Sequence, residues 1–419
     1  MSPLGLYPTG RTSPRNLLLD WRATDLSLQA RNGQPGTLVR AGTGTVIDAN
    51  GVLSSVANNV PRFGYVYGQF GLLLEPPRAN SAPFSSDVSN AVWASSGISL
   101  APTTSIIAGQ TAQIATCTNP SLGQRLLQNV GTFVNGQKDT GYWILENVSA
   151  TTSLVAINDV TAAAYVGVAT FTWATKTVAL TSGSGTVGSL ALGNGRYLVW
   201  LTITGTASGT GGAGNTRRIE CYPCGATDTT SKVCIVHHGQ LELNAGSPSS
   251  AIVTTTVAVS RATDLFSLAY NGVPGAMALY VKFLDLGTYA TTNARVLQIG
   301  SSPRVIVYCA GASNYQALYE NGTNVNSTVV PTITYGDTVE LRAPLAASGA
   351  VQIGASVNAG TESVAALSGG LSLASSWPGQ TLYINSDSFS ANSGCILLQA
   401  VRLARGNPTL AALQTLDLN

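Results

Sequence analysis

The chain has 419 residues, enough for two or three domains of ordinary size. Only 10 % of them are charged, against about 25 % in an average soluble protein, so Ser, Thr, Asn and Gly must carry its contact with water. Lys and Arg number 21 and Asp and Glu 19, which leaves no electrostatic footprint for a nucleic-acid backbone or an anionic membrane surface.

The opening "MSPLGLYPTGRTSPRNLLLDW" places Pro, Gly and charge where a secretory leader needs an unbroken apolar run. No segment reaches the roughly 18 apolar residues of a membrane span. Both features predict a chain made and folded in a cytosol, without membrane insertion. Six Cys make no disulfide framework in that reducing setting and read as buried thiols. A mean hydropathy of +0.21 predicts much hidden surface, as in chains that intertwine or dock into an assembly.

In chain order, residues 1–80 are dense in turn formers ("ARNGQPG", "AGTGTVIDANG") and predict an extended N-terminal arm. From 81 to 259 the chain alternates apolar and polar residues, as in "ATFTWATKTVAL" (169–180) and "GRYLVWLTITGT" (195–206), and predicts a first β-sandwich. A seam rich in Gly, Ser and Pro, "GSPSSAIVTTTVAVS" (246–260), leads to a second block of strands over 260–419, including "MALYVKF" (277–283) and "RVIVYCAG" (304–311). The one convincing helix is "NPTLAALQTL" (407–416), with Asn407 able to cap and Pro408 at the first helical position. The fold class is therefore all-β: an extended arm, two antiparallel jelly-roll-like β-sandwiches and a short C-terminal helix. "RATDLSLQARNGQPG" (22–36) echoes "RATDLFSLAYNGVPG" (261–275), either as two similar entries into neighbouring domains or as a duplicated docking element.

The most tempting chemical constellation is Cys221, Cys224, Cys234 and His237, whose three thiolates and one imidazole would suit a tetrahedral structural zinc. Against it, period-two alternation sends Cys234, Val236 and His238 to one face and His237 to the other. The favoured reading is buried thiols and no metal. His237 and His238 are the only histidines, and no Gly-x-Ser-x-Gly elbow precedes a helix. Glu146, Glu220 and Glu242 read as strand-surface acids rather than a glycosidase pair. "GTGGAGNTRR" (209–218) reads as a hairpin tip rather than a phosphate loop. No catalytic residue, cofactor or enzymatic activity is expected, a polysaccharide depolymerase with a carboxylate pair being the less favoured alternative.

Arg40, Ala41, Asp48, Gly51, Asn59, Pro61, Arg62, Phe63, Gly71, Leu72, Leu73, Glu75, Arg78, Asn80 and Trp93 form a spaced motif. It resembles a recurring bacteriophage virion module: an Arg-Ala strand, an Asp-x-x-Gly turn, Asn-x-Pro-Arg-Phe, Gly-Leu-Leu-x-Glu-x-x-Arg-x-Asn and a Trp strand. The similarity continues through 169–206, where Gly195, Arg196 and Tyr197 depart from the module's Gly-Trp-Tyr-Arg. It extends to "GQLE" and "SRATD" within 237–264. The last block is similar to concanavalin-A-like or laminin-G-like jelly rolls. The resemblance implies a virion structural protein, such as a tail fibre or spike or a head fibre or decoration protein. It would assemble in the host cytoplasm as a homo-oligomer, with a trimer expected, and its partners would be other virion proteins and host-surface polysaccharide. Residues 1–80 would dock to the virion. Arg62, Phe63, Glu75 and Arg78 are read as an architectural clamp, with Glu75 and Arg78 closing a salt bridge. Candidate glycan contacts are Tyr315, Tyr319 and Trp377, exposed aromatics able to stack on sugar rings.

Overall fold

The structure is a computed structural model that describes residues 17–107, 109–120, 123–226, 231–269, 277–287, 294–299, 304–311, 314–320, 324–326, 333–345, 352–358, 360, 363–366, 381–384 and 395–405. The protein is all-β, and its paired strands run antiparallel in two stacked pairs of large sheets and one two-stranded ribbon.

One sandwich lies within a single stretch of chain. Its first sheet orders Thr186–Gly193, Arg196–Thr204, Lys138–Asn147, Val233–Leu243, Gln110–Cys117 and Ile98–Ile107. Its second orders Thr177–Gly183, Ala164–Thr172, Thr152–Asp159, Thr216–Tyr222, Arg125–Thr132 and Ala94–Ser96. Between them lies a core that includes Trp93, Trp143, Val155, Phe171, Val199 and Ile219, with the Trp93 and Trp143 rings edge to face at 5.0 Å.

The other sandwich is assembled from both ends of the described chain, and here the structure departs from the expected arm. Leu17–Arg22 pairs with Ile396–Arg405, and Gly36–Val39 pairs with Leu265–Ala269. The hairpin of Phe63–Val66 and Gln69–Leu74 joins the sheet of Leu17–Arg22 through Leu72, Leu73 and Leu74 against Leu398, Leu397 and Ile396, while Gly36–Val39 belongs to the opposite sheet. Leu17–Arg22, Gly36–Val39 and the hairpin over 63–74 are thus strands of a composite sandwich completed by 265–405, while Gly44–Ile47 and Leu53–Val56 pair with each other in a separate two-stranded ribbon. The physical reason is burial: Leu19, Trp21, Leu38, Leu72 and Leu74 sit in one core with Phe266, Leu279, Phe283, Leu382 and Val401. The strands are short and broken by Gly and Pro turns, so their period-two pattern never runs long enough to show in the sequence. The first sandwich is inserted into the second. The predicted helix at 407–416 lies outside the described residues.

The two sandwiches share a third apolar cluster. Tyr142, Ile144, Leu198 and Trp200 on the inserted sandwich pack with Leu53, Val66, Leu73, Leu284 and Leu397 of the composite one. Lys138–Asn147 therefore buries both faces: Trp143 and Leu145 turn into its own core, Tyr142 and Ile144 into the shared cluster. Its run "GYWIL" is the continuous apolar string of a strand covered on both sides. Each large side chain so buried contributes about 1.5–3 kcal/mol, so the cluster couples the sandwiches strongly. We call the sheet carrying Tyr142 and Ile144 the facing sheet. The other sheet of the inserted sandwich is the distal sheet.

The RATD echo does not mark equivalent elements. Arg22 ends an edge strand and pairs with Asp20 at 3.2 Å, while Asp25 sits in a short 3-10 turn and pairs with Arg31 at 2.7 Å. The second copy, Arg261 and Asp264, is buried where the chain re-enters the composite sandwich.

Candidate functional site at the neck between the sandwiches

The chain leaves the composite sandwich after Leu74 and returns to it at Leu265. The outgoing strand Arg78–Asn80 pairs with the returning strand Val259–Arg261, Arg78 opposite Arg261 and Asn80 opposite Val259. Just below, the backbones exchange support: Asp264 N–H donates to the Glu75 carbonyl at 3.0 Å, and Glu75 N–H donates to Asp264 Oδ2 at 2.9 Å.

In a chain this poor in charge, five ionised side chains gather at that crossing. Arg62 lies between two carboxylates, bonding Glu75 through Nη1 and Asp264 through Nη2. Arg40 reaches Asp264 Oδ1 at 3.2 Å and the Ala57 carbonyl at 2.6 Å. Arg261 reaches Glu75 Oε2 at 3.1 Å, and Ser250 donates to both Glu75 oxygens, from N–H at 2.6 Å and from its hydroxyl at 2.7 Å. Arg40, Arg62 and Asp264 have no exposed surface, and Glu75 has 1 %. Gly44 allows this packing, because a Cβ there would lie 2.9 Å from Arg62 Cδ and 3.3 Å from Arg40 Cζ.

Burial alone would push the Glu75 carboxyl up, but the Arg261 and Arg62 guanidinium groups and the Ser250 bonds outweigh it and hold it at about 2. Desolvation likewise opposes charge on Arg62, yet Asp264 and Glu75 raise it above the ordinary guanidinium value. Arg40, with fewer opposite charges, is lowered by its desolvation.

The expected Glu75–Arg78 pair does not form. In extended backbone, residues three apart point to opposite faces. Glu75 accordingly turns to Arg62 and Arg261, while Arg78 turns to Glu242, 3.3 Å away. Phe63, half-buried, stacks on Phe70 across its hairpin at 6.4 Å and packs on the composite core, away from the charges. Arg40, Arg261 and Asp264 complete the clamp. Their signal was legible as scarcity, since few ionisable residues exist to be spent in a Gly- and Pro-rich stretch.

A chain of buried polar groups continues along Val233–Leu243. Ser86 donates to His238 Nδ1 at 2.7 Å, His238 Nε2 donates to Gln240 Oε1 at 2.9 Å, and Gln240 Nε2 donates to Glu242 Oε1 at 2.6 Å. The carbonyl oxygen of Gln240 can only accept, which fixes the proton of the neutral imidazole on Nε2. Burial lowers His238 to about 4 and raises Glu242.

The Cys/His constellation does not converge. The register slips at His237, so that Ile144 faces His238 but Leu145 faces Val236. This bulge reverses the alternation. Cys234 and Val236 enter the core of the inserted sandwich, whereas His238 joins the neck on the opposite face, contrary to the strict alternation expected for 234, 236 and 238. His237 bonds Glu146 at 3.0 Å, and burial lowers it to about 4. Cys221 and Cys224 are buried in the same core as Cys234; Cys224 donates to the Lys232 carbonyl at 3.3 Å and Cys234 to that of Glu146 at 3.3 Å. Among the described residues no group of three or more His, Cys, Asp and Glu is placed to hold a metal ion.

Of the expected glycan contacts, Tyr315 and Tyr319 fall on the strand Asn314–Glu320, opposite Cys309 and Val305. Trp377 lies outside the described residues.

Fold and neck together define an all-β protein in which one sandwich is inserted into another and locked to it by buried ion pairs. No protein-family model and no curated protein matches the sequence. Among solved structures, the mouse laminin alpha1 chain, domains LG4-5, is similar over 68 % of this chain and 88 % of that one, at 13 % identity and a TM-score of 0.24. The tail fiber protein gp63.1 from a phage of E. coli is similar over 81 % of this chain, at 10 % identity and a TM-score of 0.22. This chain spans 41 % of the length of that fiber protein.

Proposed function

We propose that the chain is a structural protein of a bacteriophage virion, of the tail-fibre or head-fibre kind, that presents β-sandwiches to host-surface polysaccharide. The observation that carries this reading is the neck. Arg40, Arg62, Glu75 and Asp264, drawn from both ends of the motif that carries the resemblance to the virion module, meet at one crossing, and Arg78 beside them pairs with Glu242. A clamp with no solvent access has no route to a substrate, and its effect is mechanical: it fixes one sandwich on the other, as a projecting arm requires. We assign it no catalytic role. The protein works as a homo-oligomer, a trimer in this reading, so that several weak glycan sites act together. A mass three times that of the chain in light scattering supports the trimer.

The low charge and positive mean hydropathy favour a second reading, a capsid decoration protein with much of its surface covered. Immunogold labelling of intact virions with antibody against residues 265–405 separates the two. Gold on fibres or the tail tip supports the first reading and gold over the capsid the second. Virions that carry no gold overturn both.

A further inference from the structure

The facing sheet is covered by the composite sandwich, which leaves the outer side of the distal sheet as the broad face of the inserted sandwich turned away from it. Along Thr216–Tyr222, Ile219 and Cys221 turn into the core, and Arg218, Glu220 and Tyr222 take the outer side. There Glu220, with no exposed surface, is held from both flanks: Arg218 Nε lies 2.6 Å from Oε1, and Arg125 Nη1 lies 3.1 Å from Oε2. The Tyr222 hydroxyl donates to Oε2 at 3.0 Å, Arg218 Nη2 donates to Asn158 Oδ1 at 3.2 Å, and the Tyr165 and Tyr222 hydroxyls bond one another.

Two guanidinium groups over one carboxylate leave a surplus positive charge. Each has five N–H donors. Among the described residues Arg125 donates through Nη1, to Glu220 and Tyr222, and Arg218 through Nε and Nη2, to Glu220 and Asn158, which leaves Arg125 Nη2 and Arg218 Nη1 for a ligand. The arginines remain reachable, with 28 % and 19 % of their side chains exposed. Tyr165 also lines an open pocket of about 220 Å³ whose other walls include the hydroxyl-bearing Ser184, Thr204, Thr206 and Thr210. Spare cationic donors on the distal sheet thus adjoin, through Tyr165, a pocket at the edge of the sandwich, whose hydroxyls come from the end of Arg196–Thr204 in the facing sheet and from the turns that follow it and Thr177–Gly183.

We propose that this corner of the inserted sandwich binds an acidic glycan. Arg125 and Arg218 meet a sugar carboxylate, and Tyr165 with the threonine hydroxyls holds the neighbouring sugar. The inference rests on the polysaccharide-binding reading above and names its ligand class and site. Glu220 is a positioning residue that pins both guanidinium groups in place.

The test uses the full-length protein and immobilised polygalacturonate, hyaluronate and polysialate, each beside its carboxyl-reduced form. Retention on at least one acidic polymer is expected, weakened at least tenfold by carboxyl reduction. Arg218→Gln and Arg125→Gln should each weaken it at least tenfold, Tyr165→Phe severalfold, and Lys176→Gln, remote from the cluster, not at all. Thermal melts identify any variant that fails to fold, and either arginine variant suffices. Retention that survives carboxyl reduction, or survives the folded arginine variants, overturns this site and leaves polysaccharide binding standing. Absence of retention on every polymer overturns the acidic-glycan site. Whether the polysaccharide reading falls with it is decided by retention on polysaccharide extracted from the host envelope.

Discussion

At the scale of single residues, Glu75 is the most consequential side chain. It balances Arg62 and Arg261 where water cannot. Glu75→Gln strands two buried cations, and a loss of about 3–5 kcal/mol is expected in chemical denaturation. Acid should act through the same group. Its folded value of about 2 lies below the ordinary 4.5, so its contribution is complete above the unfolded value and disappears as pH falls from about 4.5 towards 2. His238 adds to this earlier in the descent. Its folded value of about 4 lies below the ordinary 6.5; the unfolded state takes the proton first, and stability falls as pH drops from 6.5 to 4. Denaturation midpoints at pH 7, 5 and 3 should decline in two stages, and His238→Gln should reduce the first, to which His237, also lowered to about 4, contributes the rest. The residues of this clamp were legible in the sequence as a motif, but their pairing was not. Glu75 and Arg78 are neighbours along the chain and diverge in space, because an extended backbone alternates its side chains.

Among elements, the strand Val233–Leu243 and the turn at Asn50 and Gly51 illustrate what pattern reading can and cannot reach. The strand itself was evident from its alternation. Its bulge at His237 was not, since one extra residue in a ladder is set by the partner strand and leaves no local mark. That single slip separates His238 from the cysteines and places it in the neck. The turn Asp48–Val52 carries Gly51 at φ 71°, where a Cβ would lie 2.6 Å from the Leu192 carbonyl of the inserted sandwich. Gly51→Ala should therefore loosen the contact between the sandwiches while leaving each one folded. The expected readout is faster hydrogen exchange along Leu53–Val56 and Thr186–Gly193, with cores otherwise protected. Unchanged exchange in both strands would show that the turn does not hold the sandwiches together.

For the whole molecule, the interleaved topology gives its own prediction. A fragment of residues 81–259 contains both sheets of the inserted sandwich and should fold and melt cooperatively alone. A fragment of 260–419 lacks Leu17–Arg22, Gly36–Val39 and the hairpin over 63–74, so its core is open along one edge of each sheet. It should remain unfolded or aggregate, and adding residues 17–74 through a linker should rescue it. Cooperative melting of 260–419 by itself would contradict the composite sandwich.

The sequence by itself determined the class of structure and its chemistry of surfaces: strand period, turn residues and the scarcity of charge follow from local composition, and they suffice for an all-β, Gly- and Ser-rich protein without a legible catalytic centre. What only the tertiary structure decided was connection. Which strand lies beside which, whether the strands within 17–74 stand free or complete a sheet, and which carboxylate meets which guanidinium depend on contacts between distant parts of the chain, such as Leu17 with Ala404 and Arg62 with Asp264. Backbone hydrogen bonding is the same at every register, so only the burial of particular side chains, such as Trp21, Leu72 and Arg62, selects the pairing that forms.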